Sequence, residues 1–181
     1  MTAYVARAGT AAEIGGKAAS LAAALAAGLP VPPWFALRAA ADLDPDAPLP
    51  DALRAELCDA VRALAPDGEP LAVRSSAVEE DGVAHSFAGQ FESFLHVPPA
   101  EVPDRVREVW RAARSERVAA YRRQHGLGPG ALPAVLVQRM VQADAAGVAF
   151  SADPVSGRRG VAVDAPRVAG DLAGDEALAG A

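Results

Sequence analysis

An α+β fold is what this sequence predicts, and three observations carry the prediction. Helix-forming stretches and short β-branched or aromatic runs are mixed along the chain without a repeating unit. Proline and glycine punctuate nearly every boundary between them. With 181 residues, 51% of them hydrophobic, the chain can build one full core or two small lobes.

Taken in order, Ala18–Ala27 has strong helix formers, and Gly28 with Pro30 supplies the stop. LPVPP forces extended backbone ahead of WFALR, a predicted strand. Residues 42–50, DLDPDAPLP, read as a polar, proline-rich surface connection. Asp51 suits an N-cap for a helix to about Ala65, ended by Pro66, Asp67 and Gly68. LAVRSS at 71–76 is a strand, EEDG an acidic loop, and FESFLHV at 91–97 alternates as a further strand. Pro103 sits near N1 of what should be the longest helix, running to just before Gly126. Val106, Val109, Trp110, Ala113, Val118 and Tyr121 form its apolar stripe. GLGPGALP leads into the strand AVLVQRMV, then GVAFSAD, the turn DPVSGR and a hairpin partner GVAVDA. Residues 166–181 are small and acidic, and a loosely ordered tail is expected there.

Bulk chemistry narrows the function. A net charge of −6 and a pI near 5.0 argue against general nucleic-acid binding. An anionic ligand then needs locally concentrated cations. The single cysteine, Cys58, excludes an internal disulfide framework and a cysteine-based zinc site, and it reads as a small hydrophobe on a helix. No apolar run is long enough for a membrane span, and Ala18–Ala27 lacks the basic start of a signal peptide. A cytoplasmic protein without a membrane or nucleic-acid partner is the default expectation.

Three segments carry chemistry. EIGGKAAS, residues 13–20, places Lys17 behind two glycines at the head of a helix, where N-terminal amides favour anions. It is not a P-loop, because the first glycine of that motif would fall on Ala11 and its Ser/Thr on Ala18. In LAVRSSAVEEDGVAHSFAGQFESFL, strand parity puts Arg74 and Ser76 on one face and Val73 and Ser75 on the other. A strand-borne arginine before a glycine-containing loop suits oxyanion recognition. In VLVQRMV, Gln138 and Met140 share a face that suits a purine, while Arg139 points away with Val137 and Val141. Each segment alone is better read as structure: a solvated lysine, a hairpin loop with one glycine, and a half-buried strand whose glutamine bonds to backbone.

Their order changes the odds. GGKAASL, GLPVPPWF, AVRSSAVEED, SFAGQFESFL, VQRMV and FSADPVSGRR resemble, block by block, the ATP-binding domain shared by phosphoenolpyruvate synthase and pyruvate phosphate dikinase. Rifampicin phosphotransferases carry a similar domain, and VWRAARSERVAAYRRQHG looks like its intervening helix. The resemblance covers nearly everything from Ala12 to Arg159. It implies an ATP-grasp-like fold in residues 1–165, with approximate lobes 1–100 and 101–165 clasping the nucleotide. By motif, Lys17 and Arg74 correspond to the residues that contact ATP phosphates and support catalysis. Ser86, Phe87, Ala88, Gly89 and Gln90 correspond to the loop covering those phosphates, and Gln138, Met140 and Val141 to the hinge that receives adenine. ATP and Mg²⁺ are the implied cofactors, and the metal ligands stay unassigned.

The resemblance also sets expectations for what lies outside these blocks. In the family, further sequence after FSADPVSGRR contributes an acidic residue and a glutamine near the metal, which the tail APRVAGDLAGDEALAGA does not match. Asp153 reads as a turn residue. A phosphohistidine domain and an acceptor-binding domain are implied, in cis or in trans; His85, His96 and His125 lie inside ATP-domain blocks instead. Trp34 stands where the family usually has glycine, and covering an exposed edge would explain it. A piece of a longer enzyme, one polypeptide of a split enzyme and a degenerate module all fit the short length. The first two give an ATP-dependent phosphotransferase needing other domains for turnover; the third gives a non-catalytic nucleotide-binding or regulatory module that retains the fold.

Overall fold

The computed structural model of the chain describes residues 3–39, 43–78, 92–125, 128, 130–153 and 159–164. Contacts divide the chain into two compact units, residues 1–140 and 141–181.

The first unit is built on a five-stranded sheet. Its strands are β1 (Val5–Ala6), β2 (Trp34–Leu37), β3 (Leu71–Ser76), β4 (Ser93–Val97) and β5 (Ala134–Arg139), in the order β1-β2-β5-β3-β4. Every pairing is antiparallel. Helices cover both faces, which explains why β2 and most of β5 are apolar at consecutive positions: either face must be dry. On one side, Phe35, Leu37, Leu71, Val73, Val135 and Val137 pack beneath α2 (Asp51–Leu64) and α3 (Val102–Ala113). Trp110 is fully buried there and its indole N–H donates to Pro133 O at 2.9 Å. On the other side, Trp34, Ala36 and Leu136 meet Ile14 and Ala18 of α1 (Ala11–Ala26).

The predicted α+β character and the strands near 34–38, 71–76, 91–97 and 134–141 are all present. Several details differ. β5 lies between β2 and β3, so residues on both sides of position 100 share one core. The long helix after Pro103 is two helices. Ser115 takes extended backbone and its Oγ accepts from Val118 N at 3.4 Å, capping α4 (Glu116–Gln124), so the chain turns where a local side-chain acceptor competes with the helix. Asp51 begins α2 as its first residue, with Pro50 in the cap position. Trp34 covers no edge: it is 5% exposed on an internal strand.

Helix α1 starts at Ala11, seven residues before the predicted Ala18. The missed signal is the Thr10–Glu13 capping pair, in which the Glu13 carboxylate accepts from Thr10 N at 2.8 Å and from its hydroxyl at 3.0 Å. The 43–49 connection is also more structural than its composition implies. Leu43 joins the core, and Arg107, Arg111 and Arg114 of α3 and its C-cap bond to Asp46 O, Asp46 Oδ1 and Leu43 O.

The second unit contains the hairpin predicted from the sequence. β6 (Val148–Ala152) pairs antiparallel with β7 (Arg159–Asp164), in register Val148 to Asp164. The tail 166–181 lies outside the described residues.

Candidate functional site

Alternation along β3 sends Val73 into the core under α2 and α3 and turns Arg74 and Ser76 toward α1. Alternation along β5 does the same for Leu136 and Gln138. These two strands are neighbours, with Arg74 opposite Leu136 and Ala72 opposite Gln138. Above them, Lys17, Ser20 and Leu21 share one face of α1, spaced three and four residues apart. Together Lys17, Ser20, Leu21, Arg74, Leu136 and Gln138 line an open cleft of about 310 Å³. A smaller recess of about 90 Å³ near Leu49, Arg54, Pro103 and Arg107 takes in none of the candidate site residues.

Among the described residues the cleft lining carries two cations, one hydroxyl and one amide, and no carboxylate. In a chain of net charge −6 this is the local cationic concentration that an anionic ligand requires. Arg74 Nε is buried without a hydrogen-bond partner among the described residues. Arg38 and Arg107 share that feature, so what distinguishes Arg74 is its place in the cleft. The Gln138 amide lines the cleft and donates a long hydrogen bond, 3.5 Å, to Pro32 O.

The start of α1 carries an interruption inside the helix. Gly15 has φ +78° and ψ 167°, and a Cβ there would lie 1.7 Å from Ser76 O. Its freedom therefore admits the end of β3. Two of the amides that follow are already bonded within the protein: Gly16 N to Ala77 O at 3.1 Å and Ala18 N to Ser76 Oγ at 3.1 Å.

Of the predicted site residues, the fold thus gathers Lys17, Arg74 and Gln138. Met140 follows the end of β5, with its N–H on Pro70 O at 3.0 Å, and does not line the cleft. Val141 is 57% exposed and begins the second unit. Ser86, Phe87, Ala88, Gly89 and Gln90, with His85, lie outside the described residues. His96 is the penultimate residue of β4, with φ 54°, and His125 caps α4, its ring stacked on Tyr121 at 4.1 Å. Ser20, Leu21 and Leu136 were missed by sequence reasoning, although spacing from Lys17 and Gln138 places each on the same face. Among the described residues no three His, Cys, Asp or Glu gather to hold a metal, and this lining does not fit a magnesium site by itself. No helix among them is long and apolar enough to cross a membrane.

The chain is 43% identical over 168 residues to the prodigiosin synthesizing transferase PigC of Serratia marcescens, covering 80% of this chain and 19% of that protein. It is 47% identical over 109 residues to a rifampicin phosphotransferase of Streptomyces sviceus, covering 58% and 13%. A phosphoenolpyruvate synthase of Aeropyrum pernix is 32% identical over 188 residues, covering 80% and 23%. The chain therefore spans less than a quarter of the length of each of these relatives. Residues 41–170 match the family model described as the pyruvate phosphate dikinase AMP/ATP-binding domain, a span that holds Arg74 and Gln138 but not Lys17. With most of its length inside that match, this chain belongs to the pyruvate phosphate dikinase AMP/ATP-binding domain family.

Proposed function

We propose that the chain binds ATP in the cleft between α1, β3 and β5 and presents it for phosphoryl transfer. The observation that carries the reading is the convergence of Lys17, Arg74 and Gln138, far apart in sequence, on one cleft lining. Lys17 supplies a point charge and Arg74 a planar set of donors to the phosphates. Gln138 offers an amide to the edge of the adenine, with Leu136 and Leu21 as apolar contacts. Phosphoryl transfer asks mainly for alignment and charge neutralisation, which these groups provide without covalent chemistry of their own. Lys17 and Arg74 are thus the catalytic pair of the proposal.

Several roles rest on the motif resemblance: Met140 and Val141 beside the adenine, Ser86 to Gln90 over the phosphates, and an ATP-grasp-like clasp. Magnesium enters only as the counter-ion of ATP. The names of the relatives support a phosphotransferase; binding of its phosphoryl acceptor by further domains, in cis or in trans, rests on the motif resemblance.

Calorimetric titration of the chain with ATP and Mg²⁺ tests the reading. A charge-assisted hydrogen bond contributes about 1.5–3 kcal/mol, so Arg74→Ala or Lys17→Ala should weaken binding by about 10- to 150-fold. Both variants should keep a cooperative melt, since neither side chain belongs to a core cluster. A folded chain that gives no saturable binding, or variants that bind as the parent does, would sink the proposal.

A further inference from the structure

We infer that Ser76 is a positioning residue for Lys17: its hydroxyl sets where the lysine stands relative to Arg74. The inference rests on the proposed nucleotide reading of the cleft and assigns a role to a residue that does not line it.

Ser76 is 1% exposed, and its Oγ makes two bonds to α1 across the interruption at Gly15. It donates to Ile14 O at 2.9 Å, before the break, and accepts from Ala18 N at 3.1 Å, after it. Lys17 is covalently next to Ala18. A single hydroxyl therefore ties both arms of the turn that carries the lysine. A second tie, Gly16 N to Ala77 O at 3.1 Å, holds the same turn to the residue after β3. The absence of a Gly15 side chain lets Ser76 come close enough to make these bonds.

The other end of the link is Arg74. It lies two residues before Ser76 on the same strand face, about 7 Å along β3. The register between the two cations is therefore set through one strand, one hydroxyl and the Gly16–Ala77 backbone bond, not through the long chain between residues 17 and 74. Both bonds need a side chain that donates and accepts at once from a short stem, as serine does. Alanine can do neither.

A double-mutant cycle on the full chain, read as ATP affinity with Mg²⁺ present, separates positioning from mere stability. In the parent, Lys17→Ala should weaken ATP binding about tenfold or more. In a Ser76→Ala background the same replacement should cost about twofold or less, because the lysine has already lost its place. Ser75→Ala is the control, a serine equally buried at 1% on the other face of β3; there Lys17→Ala should keep its full effect. Amide exchange without nucleotide gives an independent reading: Ser76→Ala should accelerate exchange at Ala18 about tenfold while β5 amides stay protected. If Lys17→Ala costs the same in both backgrounds, Ser76 is structural only and the inference fails alone. If Lys17→Ala costs nothing in the parent, the nucleotide reading fails and the inference falls with it. Should Ser76→Ala not fold, Ser76→Cys conserves shape while weakening both bonds, and an undiminished Lys17 effect in that background overturns the inference equally.

Discussion

Replacing Gly15 with alanine should be among the most damaging single-methyl changes available to this chain. Two costs add. At φ +78° and ψ 167° the backbone occupies a region that residues with a Cβ avoid, worth about 1–3 kcal/mol. The new Cβ would also sit 1.7 Å from Ser76 O and 2.3 Å from Ser76 C, both backbone atoms of an internal strand that cannot rotate aside. Overpacking of this kind costs about 1–3 kcal/mol, and any displacement breaks the bonds of Ser76 and Ala77 to the turn. A net loss of about 3–5 kcal/mol is expected, a large part of the stability of an ordinary domain. Gly28 supplies the reference: its φ is +77°, yet a Cβ there would meet nothing within 4 Å. Gly28→Ala should therefore cost only the conformational part, about 1–2 kcal/mol. Urea unfolding followed by circular dichroism measures both variants. If Gly15→Ala loses no more than Gly28→Ala, the close approach of α1 to β3 is not as described and the reasoning is refuted.

Other outcomes follow from the same contacts. Trp110→Phe should cost about 1–3 kcal/mol, because it leaves the buried Pro133 carbonyl without its donor; a change below about 0.5 kcal/mol in urea unfolding would contradict this. The Thr10 backbone N–H, and then its hydroxyl, hold the Glu13 carboxyl below its ordinary pKa. A lowered folded-state pKa stabilises above the ordinary value, and that contribution is lost as pH falls through the lowered one. The urea midpoint of the parent should thus fall more steeply on acidification than that of Glu13→Gln, and parallel curves would exclude the effect. Glu56→Ala should free β1, since that carboxylate accepts from Tyr4 N at 3.1 Å and Val5 N at 2.8 Å; amide exchange at both positions should quicken, with β3 unaffected. Unchanged protection at Tyr4 and Val5 would remove Glu56 from that role.

Much of the fold was legible because each strand has its own local signal. β3 and β5 announce themselves as apolar runs between proline and glycine, and parity alone assigns Arg74, Ser76 and Gln138 to their face. Helix boundaries were less legible. Thr10 and Glu13 moved the start of α1 and Ser115 divided the arginine-rich helix, in each case through a polar side chain near the backbone that hydrophobic periodicity does not register. The segment from Leu43 to Asp46 shows the same limit in a loop: arginines more than sixty positions away hold it.

By itself, then, the sequence determined the α+β character, the strand faces, the terminal hairpin and the family, since all of these follow from residue order and short-range spacing. Tertiary structure decided the rest. Strand β5 lies between β2 and β3, so the first unit extends through Met140, an outcome that depends on long-range pairing and has no local signature. The purpose of Gly15 is likewise set at a distance. Its positive φ is a local property, but the atom that forbids a side chain there belongs to Ser76, sixty-one residues on, brought against it only when α1 packs on the sheet.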